Sequence, residues 1–271
     1  MTTQWTRYVA VGDSITEGFC DPVIELSALG PDTPWRGWAD RLAIILDGNA
    51  RLSGTGIEFA NLAVRSRRID DVVDEQIPVA IDLGADLVSV MVGGNDLMRP
   101  AADPDALASR LESGIAALRA SGATVLLANC FDPQFALFLR PFRGRAAVFN
   151  ANVWSIARAH GVSVLDLWGI REFQSSSMWA ADRVHLSSAG HRLLAVRAAH
   201  VLGVPYAEIA ARLPLNIRTA EADSQPGEQV PLPTWLRRYA IPWAVRMMRG
   251  VTAGDGLSPK LPDPSPIRVR P

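Results

Sequence analysis

Short apolar runs alternate along this chain with segments of helical spacing, and most of the runs are apolar throughout. A strand that faces water on one side alternates polar with apolar. A strand covered on both sides does not, so continuous runs between helices point to a parallel sheet sandwiched by helices. Tyr8-Val9-Ala10-Val11 is the first run and stops at Gly12-Asp13-Ser14. Further runs are expected at 57–62, 86–92, 123–129 and 162–165. Helical spacing occupies 36–47, with Trp38, Leu42, Ile45 and Leu46 on one face. It recurs at 68–80, 104–121, 145–159 and 188–202, where Ser187 suits an N-cap and Pro78 puts the last turn of its helix in doubt. Five such units predict a flavodoxin-like three-layer α/β/α sandwich with a five-stranded parallel sheet, occupying residues 1–212. Residues 213–271 then form a linker and a basic C-terminal extension containing Pro and Trp.

Charge divides within the extension, after the linker. The 271 residues carry a formal net charge of −1, but residues 229–271 hold seven Lys or Arg against two Asp. The bulk of the chain is therefore mildly acidic, which argues against nucleic acid as a partner. No run is long enough to span a bilayer, and no charged-then-apolar leader opens the chain, so the default compartment is cytoplasmic. Cys20 and Cys130 form neither a disulfide framework nor a metal-ligand pair by spacing, and each reads as a small buried residue.

In a doubly wound sheet, sites gather beyond the carboxyl ends of the strands. The polar residues obey this rule. Run one leads into Gly12-Asp13-Ser14, run two into Asn61-Leu62-Ala63-Val64-Arg65-Ser66, and run three into Gly93-Gly94-Asn95-Asp96. The loop before the last helix carries Asp182-Arg183-Val184-His185. Together they fit acyl transfer. A serine hydroxyl needs a base to take its proton, and His185 is the candidate for Ser14. Asp182 can reach the other ring nitrogen and orient it. An oxyanion needs prearranged donors, which the backbone N–H groups of Ser14 and Ser66 and the amide of Asn95 can supply.

These blocks resemble those of the SGNH hydrolases, the GDSL esterase/lipase family. Gly12-Asp13-Ser14-Ile15 is similar to its GDS(L/I) block, Gly93-Gly94-Asn95-Asp96 to its GxND block, and Asp182-Arg183-Val184-His185 to its DxxH block. The resemblance spans roughly residues 6–205. It implies the fold above and a serine esterase without metal or organic cofactor. Ser14 would be the nucleophile, Asp182 and His185 the rest of the triad, and Asn95 an oxyanion donor. One block departs: the family's second backbone donor is usually Gly, and the best match here is Ser66. If that position needs positive φ, Ser is strained there. Arg65 or Arg67 is the alternative contact.

Each feature has a plainer reading alone. Gly-Asp-Ser is a common turn, and the Asn of GGND and the DxxH pair could cap helices. Their joint occurrence in order favours catalysis. His160 suits a helix C-terminus, and His191 and His200 read as surface or packing residues. Arg65, Arg67 and Arg68 read as a solvated helix start. Two apolar loops overhang the same rim. Residues 16–35 include Phe19, Leu26, Leu29 and Trp35, and residues 131–144 include Phe131, Phe135, Phe138 and Phe142. They either pack the loops or form an acyl subsite.

The expected reaction is hydrolysis of a small-molecule carboxylic ester. A thioesterase, carbohydrate deacetylase or acyltransferase on the same triad is the alternative. A non-catalytic protein acting through its basic tail ranks below both. That tail, Trp235 to Gly250, is basic and amphipathic. Docking on the parent domain is favoured over peripheral membrane contact. Oligomeric state leaves no sign in the sequence.

Overall fold

The computed structural model describes residues 5–22, 35–212, 225–249 and 251–267. Leu26 and Leu29, expected over the rim, lie outside the described residues, as do 213–224 of the expected linker. Strands β1 (Arg7–Gly12), β2 (Glu58–Asn61), β3 (Leu87–Met91), β4 (Thr124–Ala128) and β5 (Ser163–Leu165) pair in parallel. Each lies within the expected run except β1, which starts one residue earlier and ends one later. The sheet has six strands rather than five, in the order β5-β4-β3-β1-β2-β6. The correction comes from the tail, where β6 (Leu261–Pro266) lies antiparallel against β2. Its sequence, Leu-Pro-Asp-Pro-Ser-Pro, does not read as a strand, since proline cannot donate to a ladder. At an edge this becomes an advantage: every second backbone donor is missing, which closes the sheet to further pairing.

The continuous apolar runs are explained by two cores, one on each face. Tyr8, Ala10, Leu87, Met91, Leu126 and Ala128 point to one side. Val9, Val11, Val88, Val90, Val125 and Leu127 point to the other. Helices α2 (Trp38–Leu52) and α8 (Ser188–Val201) cover the first face, with Trp38, Leu42 and Leu194 fully buried there. Helices α6 (Pro104–Ala120) and α7 (Arg143–His160) cover the second, through Leu111, Ile115, Phe149 and Val153. Ser187 caps α8 by accepting from Gly190 N–H at 3.2 Å.

The helix expected at 68–80 runs on to Asp82 and contains an irregularity. It comprises α3 (Ile69–Asp71), a π turn (Val72–Gln76) and α4 (Ile77–Asp82). Pro78 lacks an N–H, and the widened turn just before it relieves the mismatch without breaking the rod. Strand order reverses at β1, with β2 on one side and β3 on the other. That switch point is where this class of sheet opens a crevice.

Candidate active site

The crevice at the end of β1 is formed by a tight turn. Gly12 sits at φ 151°, and a side chain there would collide with the Met91 carbonyl of β3. Asp13 caps the short helix α1 (Ser14–Glu17), accepting from Ile15 N–H at 3.1 Å. Ser14 is therefore the first residue of a helix at the end of the central strand. Gln76 locks the turn from the π bulge: its Oε1 accepts from Gly12 N–H at 2.7 Å and its Nε2 donates to Gly12 O at 3.0 Å. Sequence reasoning missed Gln76, whose only signal was a polar residue on an otherwise apolar stripe.

His185 reaches this serine from the loop before α8. Its Nε2 stands 2.9 Å from Ser14 Oγ, and its Nδ1 stands 2.5 Å from Asp182 Oδ2. The three-residue spacing works because Asp182 closes a turn on itself. Its Oδ1 accepts from Val184 N–H at 2.9 Å and from His185 N–H at 3.0 Å, leaving Oδ2 for the ring. Arg183 inside the turn adopts φ 62°. Burial alone would lower the His185 pKa, but the Asp182 carboxylate outweighs it and lifts the ring to about 10. Asp182 moves down in turn: its burial opposes ionisation, and His185 with two backbone donors overcomes it.

The second expected segment ends in Ser66 at φ 66°, so this position does require the left-handed conformation. No group among the described residues accepts from the backbone N–H of Ser66. Arg65 and Arg67, the alternative contacts, are both engaged elsewhere. Arg65 pairs with Glu17 and lies over the Phe19 ring at 4.2 Å. Arg67 faces Asp71 and Glu75 at 3.8 and 3.7 Å. Asn95 follows β3 in the short helix α5 (Gly94–Leu97). Its Nδ2 donates to Arg67 O at 3.0 Å and reaches Asp13 Oδ2 at a looser 3.3 Å. These two bonds fix the amide, and Asn95 lies at the edge of the crevice. Burial raises Asp13 to about 6 and Asp96 to about 7, so both carboxyls beside this amide ionise reluctantly.

A cavity of about 140 Å³ opens beside Ser14 and His185. Phe131, Phe135, Leu139, Phe142, Met98 and Trp179 form much of its wall. Three of the four phenylalanines of the 131–144 loop thus line it. Phe138 instead turns outward against Trp235, with ring centroids 4.9 Å apart. Trp179, not anticipated from sequence, stacks flat on Phe135 at 3.7 Å. Phe19 meets the His185 ring edge-on at 4.9 Å.

Burial raises the pKa of both cysteine thiols and keeps them protonated. Cys20 is half-buried, adopts φ 74°, and directs its thiol at Asp182 Oδ2, 3.8 Å away. Cys20, Asp182 and His185 are the group among the described residues whose ligand atoms would reach a common ion. A cation there would displace the proton shared by Asp182 and His185. Two of the remaining histidines are structural, His160 ending α7 beside Glu112 at 3.0 Å and His191 fully buried and accepting from Trp38 N–H at 3.2 Å, while His200 is exposed on α8.

The tail touches both ends of this rim. Trp235 Nε1–H donates to the Asp182 carbonyl at 2.8 Å, and Arg183 donates to Val230 O at 2.8 Å. Gly254 approaches the Arg65 carbonyl so closely that a side chain there would clash. No helix among the described residues is long and apolar enough to cross a membrane.

Comparison with known proteins agrees with this architecture. An acetylxylan esterase from Geobacillus stearothermophilus superposes with a TM-score of 0.61 at 21% identity, covering 74% of this chain and 95% of that one. An alpha/beta hydrolase enzyme from the metagenome of Lake Arreo, Spain, gives a TM-score of 0.61 at 22% identity, covering 73% and 95%. Those likenesses concern the fold. No curated protein matches the chain significantly. The sequence profile of the GDSL-like Lipase/Acylhydrolase family matches residues 10–193, and the chain belongs to that family as an ester hydrolase of the SGNH type.

Proposed function

We propose that the protein hydrolyses carboxylic esters of short-to-medium acyl chain length through an acyl-enzyme formed on Ser14. The observation that carries this reading is the unbroken line from Ser14 Oγ to His185 Nε2 to Asp182 Oδ2, set at the mouth of an apolar cavity. Ser14 Oγ attacks the carbonyl carbon as its proton passes to His185 Nε2. Asp182 holds the ring and stabilises the imidazolium. The oxyanion draws on the N–H groups of Ser14 and Ser66 and on the Asn95 amide. His185 then returns the proton to the leaving alcohol. A water, deprotonated by the same ring, releases the acid and regenerates Ser14.

The cavity sets the acyl group. An apolar void of about 150 Å³ accommodates benzene, so about 140 Å³ suits a chain on the order of five carbons. An acetyl group leaves most of it unfilled, which places carbohydrate deacetylation second. A series of p-nitrophenyl esters from acetate to dodecanoate tests this. Maximal kcat/KM between butyrate and octanoate, shifted by Phe135→Ala, is the expected result. A strong acetate preference that Phe135→Ala leaves unchanged would overturn it. Thioesters, acetylated sugars and an added acceptor alcohol in the same panel separate thioesterase, deacetylase and acyltransferase activity from hydrolysis.

A further inference from the structure

The tail presents one face to the parent domain and another to solvent, and the second face is unusual. It forms a helical rod of Leu232–Trp235, a π turn Leu236–Ala240 and Ile241–Met248. Trp235 is buried against the Asp182 loop. By contrast, Leu232, Leu236, Ile241 and Trp243 are 56%, 43%, 57% and 47% exposed. Exposed Arg237, Arg238, Arg246 and Arg249 share the rod, and no acidic residue occurs between Glu228 and Asp255. None of these four arginines pairs with a carboxylate among the described residues. Arg238 lies over the Tyr239 ring at 5.6 Å. The patch continues onto the catalytic domain, because Phe138 packs at a tilt against Trp235 and is itself exposed beside Leu137, the most exposed large apolar side chain of the molecule's described residues. The segment that carries Leu137 and Phe138 also supplies Phe135, Leu139 and Phe142 to the cavity wall.

From this juxtaposition we infer that the rod and the Leu137–Phe138 tip form a docking surface for an anionic phospholipid bilayer, which places the cavity mouth at the membrane interface. Two features select this occupant. Exposed Leu, Ile and Trp interleaved with unpaired Arg on one rod match the boundary between acyl chains and charged headgroups. A run of like charge without acidic residues is repelled by its own kind and drawn to anionic lipid. A second copy of the chain would set four arginines of one rod against four of the other across an isologous contact. The inference deepens the esterase reading: an ester anchored in the bilayer would meet the cavity by its acyl chain. Binding of lipid and cleavage of ester are nevertheless separate measurements.

Flotation of the full chain with vesicles of phosphatidylcholine and phosphatidylglycerol at 7:3, and of phosphatidylcholine alone, tests the surface. The expected result is recovery with the mixed vesicles at least ten-fold above the neutral ones, weakened by 0.5 M NaCl. Ile241→Ser/Trp243→Ser and Arg237→Glu/Arg238→Glu should each abolish recovery while hydrolysis of a soluble butyrate ester stays unchanged. That unchanged hydrolysis verifies folding of the variants. Absence of wild-type flotation, or equal flotation of both double variants, overturns the inference. So does a dimer mass in sedimentation equilibrium that falls to the monomer in the variants, since the face would then join two copies. Ester turnover without vesicle binding would remove the lipid surface and leave the esterase. Vesicle binding without reaction of Ser14 would remove the esterase and leave the surface.

Discussion

Gln76 holds Gly12 by both of its backbone groups, across 64 residues of sequence and from the one widened turn of its helix. Gly12 ends the central strand two residues before Ser14, so this clamp sets where the serine stands. Gln76→Ala would leave a buried N–H and C=O unpaired, a loss of about 2 kcal/mol in stability. Its effect on kcat should exceed its effect on KM, because the turn would shift before the acyl cavity does. Denaturant unfolding and steady-state kinetics on a soluble ester check both parts. An unchanged kcat in a destabilised variant would reduce Gln76 to a packing residue.

Ser66 occupies a left-handed conformation that costs a non-glycine residue about 1 kcal/mol or more. Ser66→Gly should therefore raise stability by about 1 kcal/mol, less the added flexibility of the unfolded chain. Activity should persist, since the proposed donor is a backbone N–H that glycine retains. A collapse of kcat in Ser66→Gly would show that the hydroxyl, not the N–H, is what the site uses.

Lys260 brings the tail to Asp40 with Nζ 2.6 Å from Oδ2, and both side chains are almost entirely hidden. Burial pushes the Asp40 pKa up, and Lys260 is the main force opposing it. Lys260→Met strands this carboxylate and should cost about 3 kcal/mol. The sign with pH follows: the stranded group binds its proton more tightly in the folded state than in the unfolded one. Folding stability of the variant therefore falls, relative to wild type, as pH rises above the ordinary carboxylate range. Thermal unfolding at pH 5 and pH 8 should show the larger deficit at pH 8, with Asp40→Asn/Lys260→Met recovering part of it. A deficit equal at both pH values would contradict the assignment.

His185 is the group whose titration activity should follow. Its folded pKa of about 10 lies above the unfolded value of about 6.5. The stabilisation it shares with Asp182 is complete below the unfolded value and is lost as pH rises through about 10. The proposed mechanism needs the neutral ring, so kcat/KM should climb from neutral toward alkaline pH. Asp182→Asn removes the charge that holds the proton. Its limb should move to lower pH while the plateau falls by about 10⁴-fold. A pH–rate profile of both proteins reads this directly, and an unmoved limb in Asp182→Asn would assign the titration to another group.

The parts of this molecule readable from sequence are those decided locally. Val9, Val11, Val88 and Val90 announce covered strands because each sits in a run apolar on both faces. Asp182 and His185 announce one another because three residues of turn suffice to join them. What stayed hidden depends on distant partners. Nothing near Gln76 reveals that its amide reaches Gly12. Nothing in Leu-Pro-Asp-Pro-Ser-Pro suggests a strand until β2 offers an open edge. Trp235 read only as the start of a basic, amphipathic tail, and its bond to the Asp182 carbonyl appears only once the tail has returned. The strain at Ser66 was legible as a conditional, and the fold supplied the condition.

The most direct test of the account is the mass of the intact protein after reaction with a fluorophosphonate, followed by peptide mapping. One adduct on Ser14, absent from Ser14→Ala and strongly slowed in His185→Ala, is the predicted outcome. A wild-type chain that stays unmodified, or an adduct on any residue other than Ser14, would contradict it.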